Sequence, residues 1–136
     1  MKILLDTHVV DWASHRDPRL STKAHDLIAA AGPGELVISD ITLTELARHL
    51  ATGSISTPMS PERWLEQATA NLEVLPVTRE IALYAAFLDW TVAGKPHRDP
   101  CDRHIVATAV KHRLSLLTID EKMHDLVGVR GLKTIW

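Results

Sequence analysis

The sequence predicts an α/β protein, a three-layer α/β/α sandwich around a mostly parallel central sheet. Short apolar runs alternate along the chain with longer stretches of helical period, and that alternation implies parallel strands joined by helical crossovers. The runs are also apolar throughout rather than at every second residue, as strands covered on both faces must be. Ile3-Leu4-Leu5 opens the chain and stops at Asp6. An alanine-rich helix follows over 20–31, ended by Gly32-Pro33-Gly34. Leu36-Val37-Ile38 is the second strand, and Leu43, Leu46, Ala47 and Leu50 then mark an amphipathic helix that stops near Gly53. Two prolines make 56–61 a loop, before a short helix around Trp64 and Leu65. Residues 72–77 read as a third strand, 81–90 as a helix and 91–100 as a Gly/Pro loop. The remainder reads as a helix over 102–114, a strand at Leu116-Leu117, a helix over 121–127 and a last strand within 132–136. In such a sheet a ligand site lies beyond the carboxyl ends of the strands, where strand order switches.

Composition narrows the function classes. The 136 residues suit a single domain, 1–136, able to bury roughly two-thirds of its unfolded surface. A net charge of -2 gives no global pull towards nucleic acid or membrane, so a polyanion partner needs local basic groups or a bound cation. The single cysteine, Cys101, excludes an internal disulfide and a multi-cysteine zinc site, and fits a reducing compartment. No apolar run approaches a membrane span, and Asp6 interrupts the N-terminus too early for a signal peptide. The expectation is a soluble, cytoplasmic protein with no membrane partner.

Four carboxylates are delivered to one edge of this sheet by segments far apart in sequence. Asp6 follows the first strand, Glu45 stands in the helix after the second, Asp102 opens the helix before the fourth, and Asp120 lies just beyond the fourth. Each also has a local explanation. Asp6 and Asp120 suit helix N-caps, Thr42-x-x-Glu45 and Thr118-x-x-Glu121 fit capping boxes, and Asp102 suits the helix dipole behind an Asp99-Pro100 start. Asp102 nevertheless lies above the apolar stripe of Ile105 and Val106, and an inward carboxylate needs a partner. Together the acids require protons or a cation. Oxygen ligands select hard ions such as Mg²⁺ or Mn²⁺, which suit phosphoryl chemistry.

The other chemistry-bearing residues are less directed. No two of the eight histidines stand three or four apart, so the helical zinc pairing is absent. His8 and His97 flank the acids and read as surface or supporting residues, and Cys101 as packing. Lys95, His97, Arg98 and Arg103 form either a phosphate-binding patch or a solvated loop. The four tryptophans read as core or interface.

The ordered set of motifs resembles a PIN domain, and within that family the VapC-type toxin nucleases. The matching pieces are Leu4-Leu5-Asp6-Thr7-His8 with Asp11-Trp12, Ile41-Thr42-Leu43-Thr44-Glu45-Leu46-Ala47 with Gly53, His97-Arg98-Asp99-Pro100-Cys101-Asp102-Arg103 leading into Ile105-Val106-Ala107-Thr108-Ala109, and Leu117-Thr118-Ile119-Asp120, closed by Ile135-Trp136. The resemblance implies a PIN-like sandwich and a Mg²⁺- or Mn²⁺-dependent endoribonuclease cleaving RNA. It assigns Asp6, Glu45, Asp102 and Asp120 to the catalytic quartet, with Asp6, Asp102 and Asp120 on the metal. Thr7, Asp99 and Thr118 would support them, and Arg98 and Arg103 could contact RNA phosphates. It further implies a homodimer and a cognate antitoxin whose tail enters the acidic pocket. Cys101 departs from the pattern, standing where a larger apolar residue, often phenylalanine, is expected. The alternatives within this resemblance are a housekeeping RNA-processing nuclease and an inactive binding module. A dehalogenase-type phosphatase is disfavoured because His8 stands where it needs a second aspartate. A phosphoacceptor is disfavoured because Thr118 stands where it needs a lysine.

Overall fold

The computed structural model describes residues 1–136. Five strands form one all-parallel sheet in the order β3-β2-β1-β6-β7: β1 (Ile3–Leu5), β2 (Leu36–Ser39), β3 (Glu73–Leu75), β6 (Ser115–Leu117) and β7 (Lys133–Ile135). Residue parity decides which face each strand residue covers. Ile3, Leu5, Leu36, Ile38 and Leu117 pack with Val9, Val10, Ala24, Leu46 and Trp64, from the helices α1 (Thr7–Ser14), α2 (Thr22–Ala30), α3 (Asp40–Thr52) and α4 (Pro61–Thr69). Leu4, Val37 and Leu116 point the other way, onto Ile105, Val106 and Ala109 of α6 (Pro100–His112) and Met123 of α7 (Glu121–His124). A third cluster, Ile81, Ala85 and Ala107, joins α5 (Arg79–Phe87) to α6. Both faces are covered, which is why these strands carry no polar alternation. No helix is long and apolar enough to cross a membrane.

Strand order determines where the crevice opens. The chain builds outward from β1 through β2 to β3, then returns to place β6 on the other side of β1. The switch point therefore falls between β1 and β6, whose ends are Leu5 and Leu117 in register, with the Asp6 amide donating to the Leu117 carbonyl at 3.0 Å.

Three local features differ from the sequence expectation. First, α1 follows β1 without a loop, with Asp6 as its N-cap. Its Thr7-His8-Val9-Val10 start is rich in β-branched residues that do not advertise a helix, and tertiary burial of Val9, Val10 and Trp12 decides the matter. Second, Thr42 and Glu45 do not form a capping box. The helix begins three residues earlier, capped by Ser39, whose hydroxyl accepts from the Ile41 amide at 3.2 Å. Likewise Asp120, not a Thr118–Glu121 box, caps α7, accepting from the Lys122 amide at 2.9 Å. Third, the expected 91–100 loop contains a two-stranded hairpin, β4 (Thr91–Val92) and β5 (Lys95–Pro96). Ala93 and Gly94 turn it with φ of 52° and 79°, the left-handed pair that a tight hairpin requires. The third strand is also an edge strand, with Val74 41% exposed.

Arg103 ties this hairpin to the body. Its guanidinium donates to the carbonyls of Ala85 (2.7 Å), His97 (2.6 Å) and Leu88. That engagement ends α5 at Phe87, short of the expected residue 90, and draws both segments onto the first turn of α6. We expect Arg103→Ala to cost about 2–4 kcal/mol, read as a lowered urea midpoint. Arg103→Lys should recover less than half of that, because an ammonium cannot reproduce a planar fork.

Candidate active site

Asp6 sits at the switch point and is 4% exposed. Its Oδ1 accepts from the Thr7 amide at 2.8 Å and its Oδ2 from the Thr118 hydroxyl at 2.7 Å. Burial pushes its pKa up to about 6; the two hydrogen bonds oppose this, and the charge of Asp102 adds to it. Thr118 is fully buried at the end of β6, and its oxygen also accepts from the Asp120 amide at 3.0 Å. The Thr118 carbonyl lies 2.7 Å from His124 Nε2, whose other ring nitrogen is 2.6 Å from the Thr134 hydroxyl. One threonine therefore couples Asp6 to the cap residue Asp120, and a half-buried histidine holds that threonine in place.

Thr7, the other hydroxyl expected beside the metal, is buried and donates to Thr42 Oγ1 at 3.3 Å. That contact docks α1 on α3 one turn before Glu45. Glu45 is itself buried, with its Oε2 3.6 Å from the guanidinium of the exposed Arg48. Its carboxylate shares one small volume with Asp99 and Cys101, their ligand atoms all lying within 4.8 Å of one another.

Asp99 caps α6, with Oδ1 accepting from the amides of Cys101 (2.9 Å) and Asp102 (3.3 Å). Pro100 occupies the first helical position, as the sequence indicates, so Asp102 projects from the first turn. Burial raises the Asp102 pKa most; Asp99 and Asp120 raise it further, and His97 lowers it. His97, read from the sequence as a surface or supporting residue, is the partner of Asp102, a pairing the sequence did not specify: its Nε2 lies 2.8 Å from Asp102 Oδ2. Five residues and a proline turn separate the two, so no helical or strand period could signal the contact. Arg48 was visible in principle, standing at i+3 from Glu45 on the same helix.

Burial and the charges of Glu45, Asp99 and Asp102 push the Cys101 thiol up to about 11. It stays protonated and packs beneath the acids rather than acting as a nucleophile. Of the two expected phosphate contacts, Arg98 is exposed beside Asp99. Arg103 instead spends its guanidinium on backbone carbonyls.

At the C-terminal edge of the sheet Asp102 lies within electrostatic reach of Asp6 and of Asp120, while Glu45 groups with Asp99 and Cys101, and hydroxyls, amides and one imidazole hold these acids. Only Arg48 and His97 oppose their charge at contact distance. An oxygen-rich set in which Asp102 raises the pKa of Asp6, and Asp99 and Asp120 raise that of Asp102, fits a hard divalent cation. A second concavity lies away from these acids. It is a cleft of roughly 980 Å³ lined by α1, α2 and α4 residues, including Val10, Ala13, Ile28, Trp64 and Ala68.

The PIN domain family model matches residues 3–129. The chain belongs to the PIN domain family. It is 32% identical over 134 residues to Ribonuclease VapC22 of Mycobacterium tuberculosis, covering 98% of each chain. Its fold superposes on a chain of the Rickettsia felis VapBC2 complex, which is bound to a promoter DNA fragment, with a TM-score of 0.72 at 19% identity, covering 100% of this chain and 99% of that one. VapBC-1 of nontypeable Haemophilus influenzae gives 0.70 at 22% identity, covering 99% and 97%. These likenesses bear out the PIN-like α/β expectation, including its parallel central sheet.

Folding raises the pKa of Asp6 from 3.8 to about 6. In the metal-free PIN domain this carboxyl therefore contributes most to stability below about pH 4, and that contribution is lost as pH rises through about 6. Asp6→Asn removes the titration. In EDTA, denaturant unfolding should show the variant gaining on wild type between pH 4 and pH 7, by on the order of 2 kcal/mol.

Proposed function

We propose that residues 1–136 form a single PIN domain that acts as a Mg²⁺- or Mn²⁺-dependent endoribonuclease, the toxin of a toxin–antitoxin pair. The observation that carries this reading is the buried Asp6 at the switch point with Asp102 acting on it, Asp120 and Asp99 acting on Asp102, and Glu45 beside Asp99, with little compensating positive charge. The relative named as a ribonuclease and the toxin–antitoxin complexes among the structural neighbours support it.

Asp6, Asp102 and Asp120 would hold the cation, and Glu45 would hold it directly or through water, or position the attacking water. Bound there, a divalent cation would offset the carboxylate repulsion and supply the acidification of water and the charge stabilisation on the phosphoryl and leaving oxygens. Thr118 keeps an Asp6 oxygen directed by donating to it, Thr7 keeps α1 against the helix that carries Glu45, and Asp99 fixes the first turn under Asp102. Water attacks phosphorus in line, the phosphorus–oxygen bond to the leaving ribose breaks, and the departing oxygen takes up a proton. RNA is selected by shape and by bases splayed from single-stranded loops. Arg98, exposed and next to Asp99 in the chain, contacts a substrate phosphate.

The partner is a cognate antitoxin whose tail occupies the acidic pocket. The apolar cleft between α1, α2 and α4 is a surface on which such a chain can bury its own apolar side chains. Leu83 and Phe87 on α5, 61% and 85% exposed, supply apolar area for a homodimer. The cytoplasm, where Cys101 remains reduced, is the compartment of action.

Inducing wild type in a bacterial host should arrest growth and create a few discrete new RNA ends. Asp102→Asn should lower cleavage by more than about 10²-fold without loss of soluble protein. Well-expressed wild type that causes neither arrest nor new ends would overturn the toxin reading; residual Mn²⁺-dependent RNA cleavage in vitro would then indicate a processing nuclease. Arg98→Ala should weaken RNA binding across sequences and lower the salt-dependence slope by about 1, measured by fluorescence anisotropy at several salt concentrations.

A further inference from the structure

The hairpin that sequence reading treats as a loop ends on a residue with an anchored side chain and an anchored backbone. His97 Nε2 is 2.8 Å from Asp102 Oδ2, the two side chains being 14% and 16% exposed. The imidazole rests on the indole of Trp90, ring centroids 4.3 Å apart, and Trp90 is buried in the same cluster as Ile105, Val106 and Leu116. The His97 amide donates to the Trp90 carbonyl at 2.8 Å, and the His97 carbonyl accepts from Arg103 at 2.6 Å. Ring and main chain are therefore each held by groups that belong to the folded core.

Asp102 needs such a neighbour. It projects from the first turn of α6 with no backbone donor to its carboxylate, while the charges of Asp99 and Asp120 act on it. A carboxylate free to rotate would turn away from them towards water. We infer that His97 is a positioning residue, whose Nε2–H holds Oδ2 of Asp102 and leaves Oδ1 for the divalent cation. This rests on the metal-nuclease reading above. An ionised carboxylate only accepts hydrogen bonds, so in the cation-ready state the proton is on Nε2. With Nε2 committed to Asp102, His97 acts through the carboxylate rather than as a ligand. Hydrogen bonds to metal-binding carboxylates affect affinity strongly, because they decide where the ligand oxygen points.

The test is Mn²⁺ binding, read as free Mn²⁺ by electron paramagnetic resonance, for wild type, His97→Ala and His97→Gln, with thermal unfolding of each. Wild type should bind. His97→Ala should weaken binding by about 10–100-fold, and His97→Gln, whose amide also donates, should recover most of the loss, with unfolding temperatures little changed in both. Electron spin echo modulation of the wild-type complex should show no directly bonded nitrogen; a strong one would make His97 a ligand and overturn the proposal. Wild-type affinity in His97→Ala, or equal losses in the alanine and glutamine variants, overturns the positioning role and leaves the nuclease reading standing. Wild type that binds no Mn²⁺ overturns the metal reading itself, and this inference with it.

Discussion

A carboxylate at the end of a central parallel strand, almost wholly out of water, resists ionisation, and Asp6 is such a group. Its burial is forced by topology. β1 is flanked by β2 and β6, and the helix that starts at the next residue closes over it. Folding places this charge where only directed hydrogen bonds or a cation can stabilise it. The Thr7 amide and the Thr118 hydroxyl supply the bonds. Much of the surrounding architecture keeps those two donors in place: Thr118 is fixed by pairing between β6 and β1 and by His124 reaching across from α7.

The positive side chains show a division of labour that follows from desolvation. Arg103 is partly buried, and an Arg in that setting must satisfy its donors, so it forks onto three carbonyls and becomes a joint between α5, the hairpin and α6. Arg98 is exposed on the same segment and has no such demand. Arg48 is exposed too and touches Glu45 from the rim. The acids consequently have little fixed positive charge against them, with only Arg48 and His97 at contact distance.

Cys101 shows how a small side chain is accommodated beneath the acids. The thiol occupies a buried place beside three carboxylates, each of which disfavours its ionisation. It behaves as a small apolar group. The helix start above it is held instead by Asp99, through bonds to two successive amides.

Much of the architecture was legible in the residues themselves. Uniformly apolar triplets at 3–5 and 36–38 belong to strands covered on both sides, and an Asp-Pro pair at 99–100 starts a helix because proline fits only its first turn. The placement of Asp6 after the first of these runs, and of Asp120 beyond Leu116-Leu117, followed from the same pattern. Other features were not legible. Thr42 and Glu45 satisfied a capping pattern equally well, and only the continuation of β2 straight into α3 showed that they point into the molecule. The helix α1 was hidden because β-branched residues carry no helical signature until burial selects it. The contact of His97 with Asp102 depends on a hairpin turned by Ala93 and Gly94 and on an arginine reaching three segments. Local sequence determined which residues could be strands, caps and acids, since these follow from backbone preference and periodicity. Tertiary structure alone decided which of the charged groups were desolvated together, because burial and pairing are properties of distance in space, which sequence spacing does not encode.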